Sequence, residues 1–242
     1  AQNVRVIVSY GRQHTATRDK PTIPSGFKEV MIDSGGFQLQ SGTAERNVTL
    51  KSYALWLYLL LPEHPEVSHY FNLDVWRDGE TSMSNLKYLE KEGLHPIPIW
   101  HAGTEVRYLD YLYQNYELIA IGGVAKLRNR KAMCRLVDWL FQNYPERQYH
   151  FLGVGLTGFN AFSAFKPYSI DCSSWNTPGR FGHLIELRNN VPFEIRPSAS
   201  VRQKLRTDSE FLVWAITDAV QKIASIETVL ETASRSPQGT LL

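Results

Sequence analysis

Short runs of apolar and β-branched residues recur along this chain, and nearly all of them stop on an acid, a histidine or a pair of glycines. The runs are VRVIVS (4–9), EVMID (29–33), HYFNLD (69–74), HPIPIW (95–100), ELIAI (117–121), RQYHFL (147–152) and YSID (168–171). Each has the length and composition of a buried strand. Amphipathic stretches lie between most of them. From Asn129 to Tyr144 the apolar positions Ala132, Met133, Leu136, Val137, Leu140, Phe141 and Tyr144 form one stripe that ends at Pro145. Leu50, Tyr53, Ala54, Leu57, Tyr58 and Leu61 repeat that spacing ahead of Pro62. Strand and helix in alternation define the α/β class. Seven strand candidates in 242 residues predict a (β/α)8 TIM-type barrel in preference to an open doubly wound sheet, with one strand unplaced.

Two further elements are expected outside that repeat. HLIELRNNVPFEIR (183–196) has two extended runs meeting at Asn189-Asn190, the pattern of a β-hairpin inserted after the seventh strand. A long C-terminal helix is expected to start with Thr207 and Glu210 as a capping box and to turn Leu212, Ile216, Val220, Ile223 and Val229 or Leu230 inward. Residues 1–234 are expected to form one domain, and the polar 235–242 a loose tail.

Composition excludes some classes of protein. The net charge of +2 demands no polyanion, so only local clusters of charge can argue for one. Cys134 and Cys172 make no disulfide framework and fall short of a zinc ligand set unless His or carboxylates complete it. No metal and no cofactor is expected. The longest apolar stretch, 53–61, is too short to span a bilayer, and no charged segment leads into an apolar core at the start. These features predict a cytoplasmic protein with no membrane contact.

In a (β/α)8 barrel the residues that follow the strands converge on one rim, where active sites of this fold are built. Here those residues are Asp33, Asp74, His101, Gly122-Gly123, Gly153-Val154-Gly155 and Asp171. One acid after a strand makes a turn; three acids, a histidine and glycine pairs at successive strand ends predict a site.

IDSGGFQ (32–38), GG (122–123), GVG (153–155) and IDCSSWNTPGR (170–180) followed by the hairpin run in the order found in tRNA-guanine transglycosylases, and the chain resembles that family over residues 29–197. No cysteine follows Cys172 to supply the zinc subdomain of members that act on tRNA. With the wording SIDCSSW, the chain looks most like the phage-type enzymes that insert 7-deazaguanines into DNA. The resemblance implies replacement of guanine by a 7-deazaguanine such as preQ0, with retention at the sugar. It implies Asp171 as the nucleophile that forms a glycosyl ester, and Asp33 as the second catalytic carboxyl that shuttles the proton. Asp74 would read the N1–H and amine of the base. Ser34, Gly35, Phe37, Gly122 and Gly123 would line the base pocket. His101 stands where the family has a base-reading glutamine, so either the preferred base differs or His101 is a wall of the pocket. A phage-encoded enzyme would work in the host cytoplasm.

Either polymer, DNA or the alternative tRNA, needs basic grip. Lys126, Arg128, Arg130, Lys131 and Arg135 form a run free of acids, and Arg180 follows the nucleophile motif. These are the candidate phosphate contacts. In duplex DNA the target guanine must be flipped out or already unpaired, and a partner protein could open the strand. Phe37, Tyr168 and Trp175 are candidate stacking surfaces. A tRNA enzyme of the same chemistry and a non-catalytic nucleic-acid-binding subunit on the same scaffold are the competing readings.

Overall fold

Why the strand candidates stack side by side is visible in a computed structural model of the chain. It describes residues 5–12, 26–42, 48–124, 130–162, 165–189 and 191–233, with positions 23, 44 and 127. Contacts within the stretch expected as one domain separate two compact units, the first made of residues 1–127, 138–152 and 167–171, the second of 128–137, 153–166 and 172–242.

The first unit is mixed α/β with parallel strands. β1 (Arg5–Ser9), β2 (Glu29–Asp33) and β3 (Val67–Tyr70) pair in that order, and β4 (Ile99–His101), β5 (Leu118–Gly122), β6 (Gln148–Phe151) and β7 (Ser169–Ile170) pair in theirs. A parallel bridge between Phe71 and Ile97 links the two sets. Every expected run except the unplaced eighth therefore contributes a strand, or part of one. The spatial order follows the chain order without reversal. That lacks the switch point of a doubly wound sheet.

Period-two alternation sorts the side chains. Val6, Val8, Val30 and Ile32 join Tyr53, Ala54, Leu57 and Leu60 of α2 (Leu50–Leu60) in one cluster, after α1 (Gly36–Ser41). Ile7 and Met31 point the other way, into a cluster with Phe71, Ile97, Ile99 and Ala120. Both faces of these strands are thus covered, as parallel sheets require. Each fully buried Leu or Ile contributes about 1.5–3 kcal/mol. The sheet also curls. The rings of Phe71 and His150 are 5.0 Å apart and those of His69 and Tyr168 5.7 Å apart, although three and four strand spacings of about 4.8 Å would separate them in a flat sheet. Among the described residues no ladder joins β7 to β1.

Local signals set the helix starts. Thr49 and Ser52 form a capping box at α2, and Asp78 accepts from the Thr81 N–H at α3 (Gly79–Lys91). α2 buries Trp56 and Leu60 and leaves Tyr58 exposed, a rotation from the expected stripe that puts the indole beside Tyr10. α4 (Val106–Asn115) and α5 (Arg130–Asn143) precede β5 and β6. Met133, Val137, Leu140 and Tyr144 are the buried positions of the expected α5 stripe.

The second unit holds the hairpin. β8 (Leu184–Arg188) and β9 (Val191–Ile195) are antiparallel, and Asn189 has φ 52°, the left-handed backbone that a tight hairpin turn uses. α6 (Thr177–Phe181) has Pro178 in its first turn and stops at Gly182. α7 (Ala199–Thr207) was not anticipated: Ser198 caps it, and it ends where the next helix was expected to begin. Thr207 therefore does not cap α8 (Ser209–Ala233), since its hydroxyl donates to the Gln203 carbonyl inside α7. Asp208 caps α8 instead, its carboxylate accepting from the Phe211 N–H at 2.9 Å. The inward positions of α8 centre on Ala215 and Ala219, which bury fully, while Leu212, Ile216, Val220 and Ile223 are half-buried. Ala219 packs with Leu156 and Ile185, and Lys222 donates to the Ile185 carbonyl and pairs with Asp218. The side chains of Val229 and Leu230, and the tail from 234 on, lie outside the described residues.

Candidate active site

The first unit brings Asp33, Asp74, His101 and Asp171 to the carboxyl ends of its parallel strands. Asp33 is the last residue of β2, paired in register with Ser9 of β1. Burial pushes its carboxyl up to about 6, the nearby Asp74 and Asp171 add to that, and the Ser9 hydroxyl and Gly35 N–H oppose it. Asp33 thus senses both of the other acids across the curl of the sheet.

Asp74 follows β3 and is buried, so it is not the surface partner of Arg77 or Lys87 that its neighbours in sequence could supply. Its Oδ2 lies 2.6 Å from His101 Nε2. A carboxylate there accepts from Nε2–H, which leaves Nδ1 as the bare nitrogen. Nδ1 is buried and has no hydrogen-bond partner. His101 is therefore committed to Asp74, the geometry of a pocket wall.

The glycines explain themselves through this pair. A Cβ on Gly36 would stand 2.6 Å from Asp74 Oδ1, and one on Gly122 would stand 2.5 Å from His101 Nδ1. Gly123, at φ 80°, leaves room for the Trp76 indole, which meets His101 edge-on at 4.9 Å. Gly122 and Gly123 accordingly open space for protein side chains, where the sequence suggested open space for a base. Gly35, at φ 84°, lies against Gly11: a Cβ would be 2.6 Å from the Gly11 backbone. Two glycines after Asp33 thus serve two close approaches, Gly11 on one side and Asp74 on the other. Ser34 is fully buried, with an unpartnered hydroxyl. Phe37 on α1 is 61% exposed.

Asp171 follows β7. Its N–H donates to the Phe151 carbonyl, which extends the β6–β7 ladder by one step, and its carboxylate stays partly exposed. Cys172 caps the turn at Ser173–Asn176, its Sγ accepting from the Ser174 N–H. Asp171 Oδ1 is 3.6 Å from the Nε2 of His150 on β6.

His150 escaped the sequence analysis, as did Gly11, Gly36 and Trp76. The signal was present: His150 interrupts an apolar strand between Tyr149 and Phe151, and Ser169 and Asp171 alternate two apart on the next strand. Tyr168 is corrected. It precedes β7, near Glu29 at the start of β2, and so sits at the opposite strand ends from Asp171.

The basic candidates Lys131, Arg135 and Arg180 belong to the second unit. Lys126 and Arg128, and the side chain of Arg130, lie outside the described residues. Lys131 and Arg135 are exposed on α5, and Arg180 is exposed on α6 with its guanidinium 5.0 Å from the Phe181 ring. Counted by sequence, the second unit has thirteen Lys and Arg against seven Asp and Glu, +6, and the first has thirteen against seventeen, −4. No helix among the described residues is long and apolar enough to cross a membrane. Compared with known proteins, the sequence matches no family model and no curated protein.

Proposed function

We propose that this chain is a base-exchange glycosyltransferase that replaces guanine in DNA with a 7-deazaguanine such as preQ0. In this reading the curled parallel sheet is a (β/α)8-type barrel, and the carboxyl ends of its strands form the active-site rim. The carrying observation is Asp33, half-buried at a strand end, its carboxyl pushed up to about 6 by desolvation and by the charges of Asp74 and Asp171.

The chemistry follows from those environments. An Asp171 oxygen forms a bond to C1′ as the C1′–N9 bond breaks and its electron pair leaves with guanine. Asp33, protonated in part near neutral pH, supplies the proton that the departing ring nitrogen needs. The incoming 7-deazaguanine returns that proton to Asp33 as its nitrogen attacks C1′ from the opposite face, and the ester pair goes back to Asp171. Two inversions give retention. Asp74 has acceptor positions left beside the one His101 uses, and these read the N1–H and amine of the base. Lys131, Arg135 and Arg180, all exposed, are the candidate phosphate contacts.

Choice of DNA over tRNA rests on the resemblance in the nucleophile motif. A parallel assay decides both questions: labelled guanine is expected to leave DNA only when preQ0 is supplied, and to stay in tRNA. Release from tRNA alone would transfer the reading to the RNA enzymes, and release from neither would end it.

A further inference from the structure

The β6–β7 edge contains a histidine that the roles above leave unused. His150 is 1% exposed, with one ring nitrogen satisfied and the other aimed at Asp171. Ser169 Oγ lies 2.7 Å from Nδ1. When that hydroxyl donates to Nδ1, the ring proton sits on Nε2. Nε2 is buried, has no hydrogen-bond partner, and is 3.6 Å from Asp171 Oδ1. That gap exceeds a hydrogen bond. The Phe71 ring, 5.0 Å away and tilted 41°, packs against the imidazole and limits its turning.

We propose that His150 is a positioning residue for Asp171, its Nε2 placed beside Oδ1 so that the other carboxylate oxygen forms and releases the glycosyl ester. The inference rests on the base-exchange reading and adds a role within it. In the ester, Oδ1 is the carbonyl oxygen. When the incoming base forms its bond to C1′, the ester C–O bond breaks, its pair returns to Asp171, and negative charge spreads onto Oδ1. An N–H waiting there stabilises that developing charge. The same N–H makes the free carboxylate a slightly weaker nucleophile, so its larger effect falls on breakdown of the adduct. Ser169 acts one step further out: by donating to Nδ1 it leaves the ring proton on Nε2.

The test compares the native chain with His150→Phe, which keeps ring volume and removes the N–H, and His150→Gln, which restores an N–H. Turnover of His150→Phe is expected to fall about tenfold to a hundredfold with KM little changed, in the range of losing a charge-stabilising donor. The fraction of chain trapped as nucleic-acid adduct should rise, and His150→Gln should recover part of both. Turnover within about twofold of native and no adduct build-up would overturn the role. If His150→Phe does not fold, Ser169→Ala carries the test: a fall of about threefold or more with more adduct supports the role, and native values overturn it.

Failure of the base-exchange reading looks different, because the native chain would then exchange nothing. The 15N spectrum of His150 still decides the pairing in that case. An Nε2–H tautomer whose shift responds to Asp171→Asn supports it, and an Nδ1–H tautomer indifferent to Asp171→Asn overturns it.

Discussion

Two histidine–aspartate pairs stand at strand ends of the same sheet, and they are built differently. His101 and Asp74 are both about one-tenth exposed and bonded at 2.6 Å. His150 and Asp171 are 3.6 Å apart, the histidine 1% exposed and the acid 27%. Glycines close in on the first pair, since Gly36 and Gly122 leave no room for a Cβ. Around the second, a side-chain hydroxyl fixes the imidazole and leaves the acid reachable. A bonded, enclosed carboxylate is rigid and suits recognition. A carboxylate held near a donor yet open to solvent suits an atom that must form and break a bond. In the proposed reading, the same two residue types would divide recognition from reaction by distance and exposure alone.

The first way to break that division is to remove the two acids separately. Asp171→Asn is expected to abolish the adduct and to lower exchange at least about a thousandfold, as loss of a nucleophile does. Asp74→Asn should leave some adduct and chiefly raise KM for the base; equal loss of adduct in both variants would erase the distinction. Stability gives the second contrast. Breaking the enclosed pair with Asp74→Ala should cost about 3–5 kcal/mol in urea unfolding, since it strands His101. Asp171→Ala, at a more open position, should cost less than about 1 kcal/mol.

Asp33 sharpens the contrast through pH. Its folded carboxyl titrates near 6, above the unfolded value of 3.8, so the folded state holds the proton more tightly between those values. Stability contributed by that proton is full below about pH 4 and is lost as pH rises through 6. Asp33→Asn should therefore raise stability by about 3 kcal/mol at pH 7.5 and by little at pH 4, in denaturant melts at the two pH values. A gain that does not depend on pH would contradict the desolvated, proton-holding environment. The last contrast is Gly122→Ala. Its Cβ would press on His101 Nδ1 and should cost about 1–3 kcal/mol while shifting KM in the direction of Asp74→Asn. Native stability would mean that the enclosure around His101 is looser than the distances indicate.

Much of this was legible in the chain, for reasons that differ by residue. Strands show in sequence because Val, Ile and aromatic runs are local and the acid that ends each run is adjacent to it; Asp33 and Asp171 were found that way. The hairpin showed because two extended runs meet at an Asn-Asn pair, of which Asn189 has left-handed backbone. α7 was missed because its cap, Ser198, sits in a polar stretch after Pro197 with few apolar positions to mark a stripe. His150 was missed because its importance lies in a register, His150 opposite Ser169, that exists only once β6 and β7 pair. Gly122 and Gly123 were noticed, and their physical role was not, since the side chains they admit come from other strand ends and loops.

The claim on which the rest depends is that Asp171 bonds to the sugar while Asp33 handles the proton. Peptide mapping by mass spectrometry of the native chain, acid-quenched during turnover on a guanine-containing DNA oligonucleotide, measures this directly. The account predicts a nucleic-acid strand on the peptide that contains Asp171. A modified peptide elsewhere, or turnover with no modified peptide at any quench time, would contradict it.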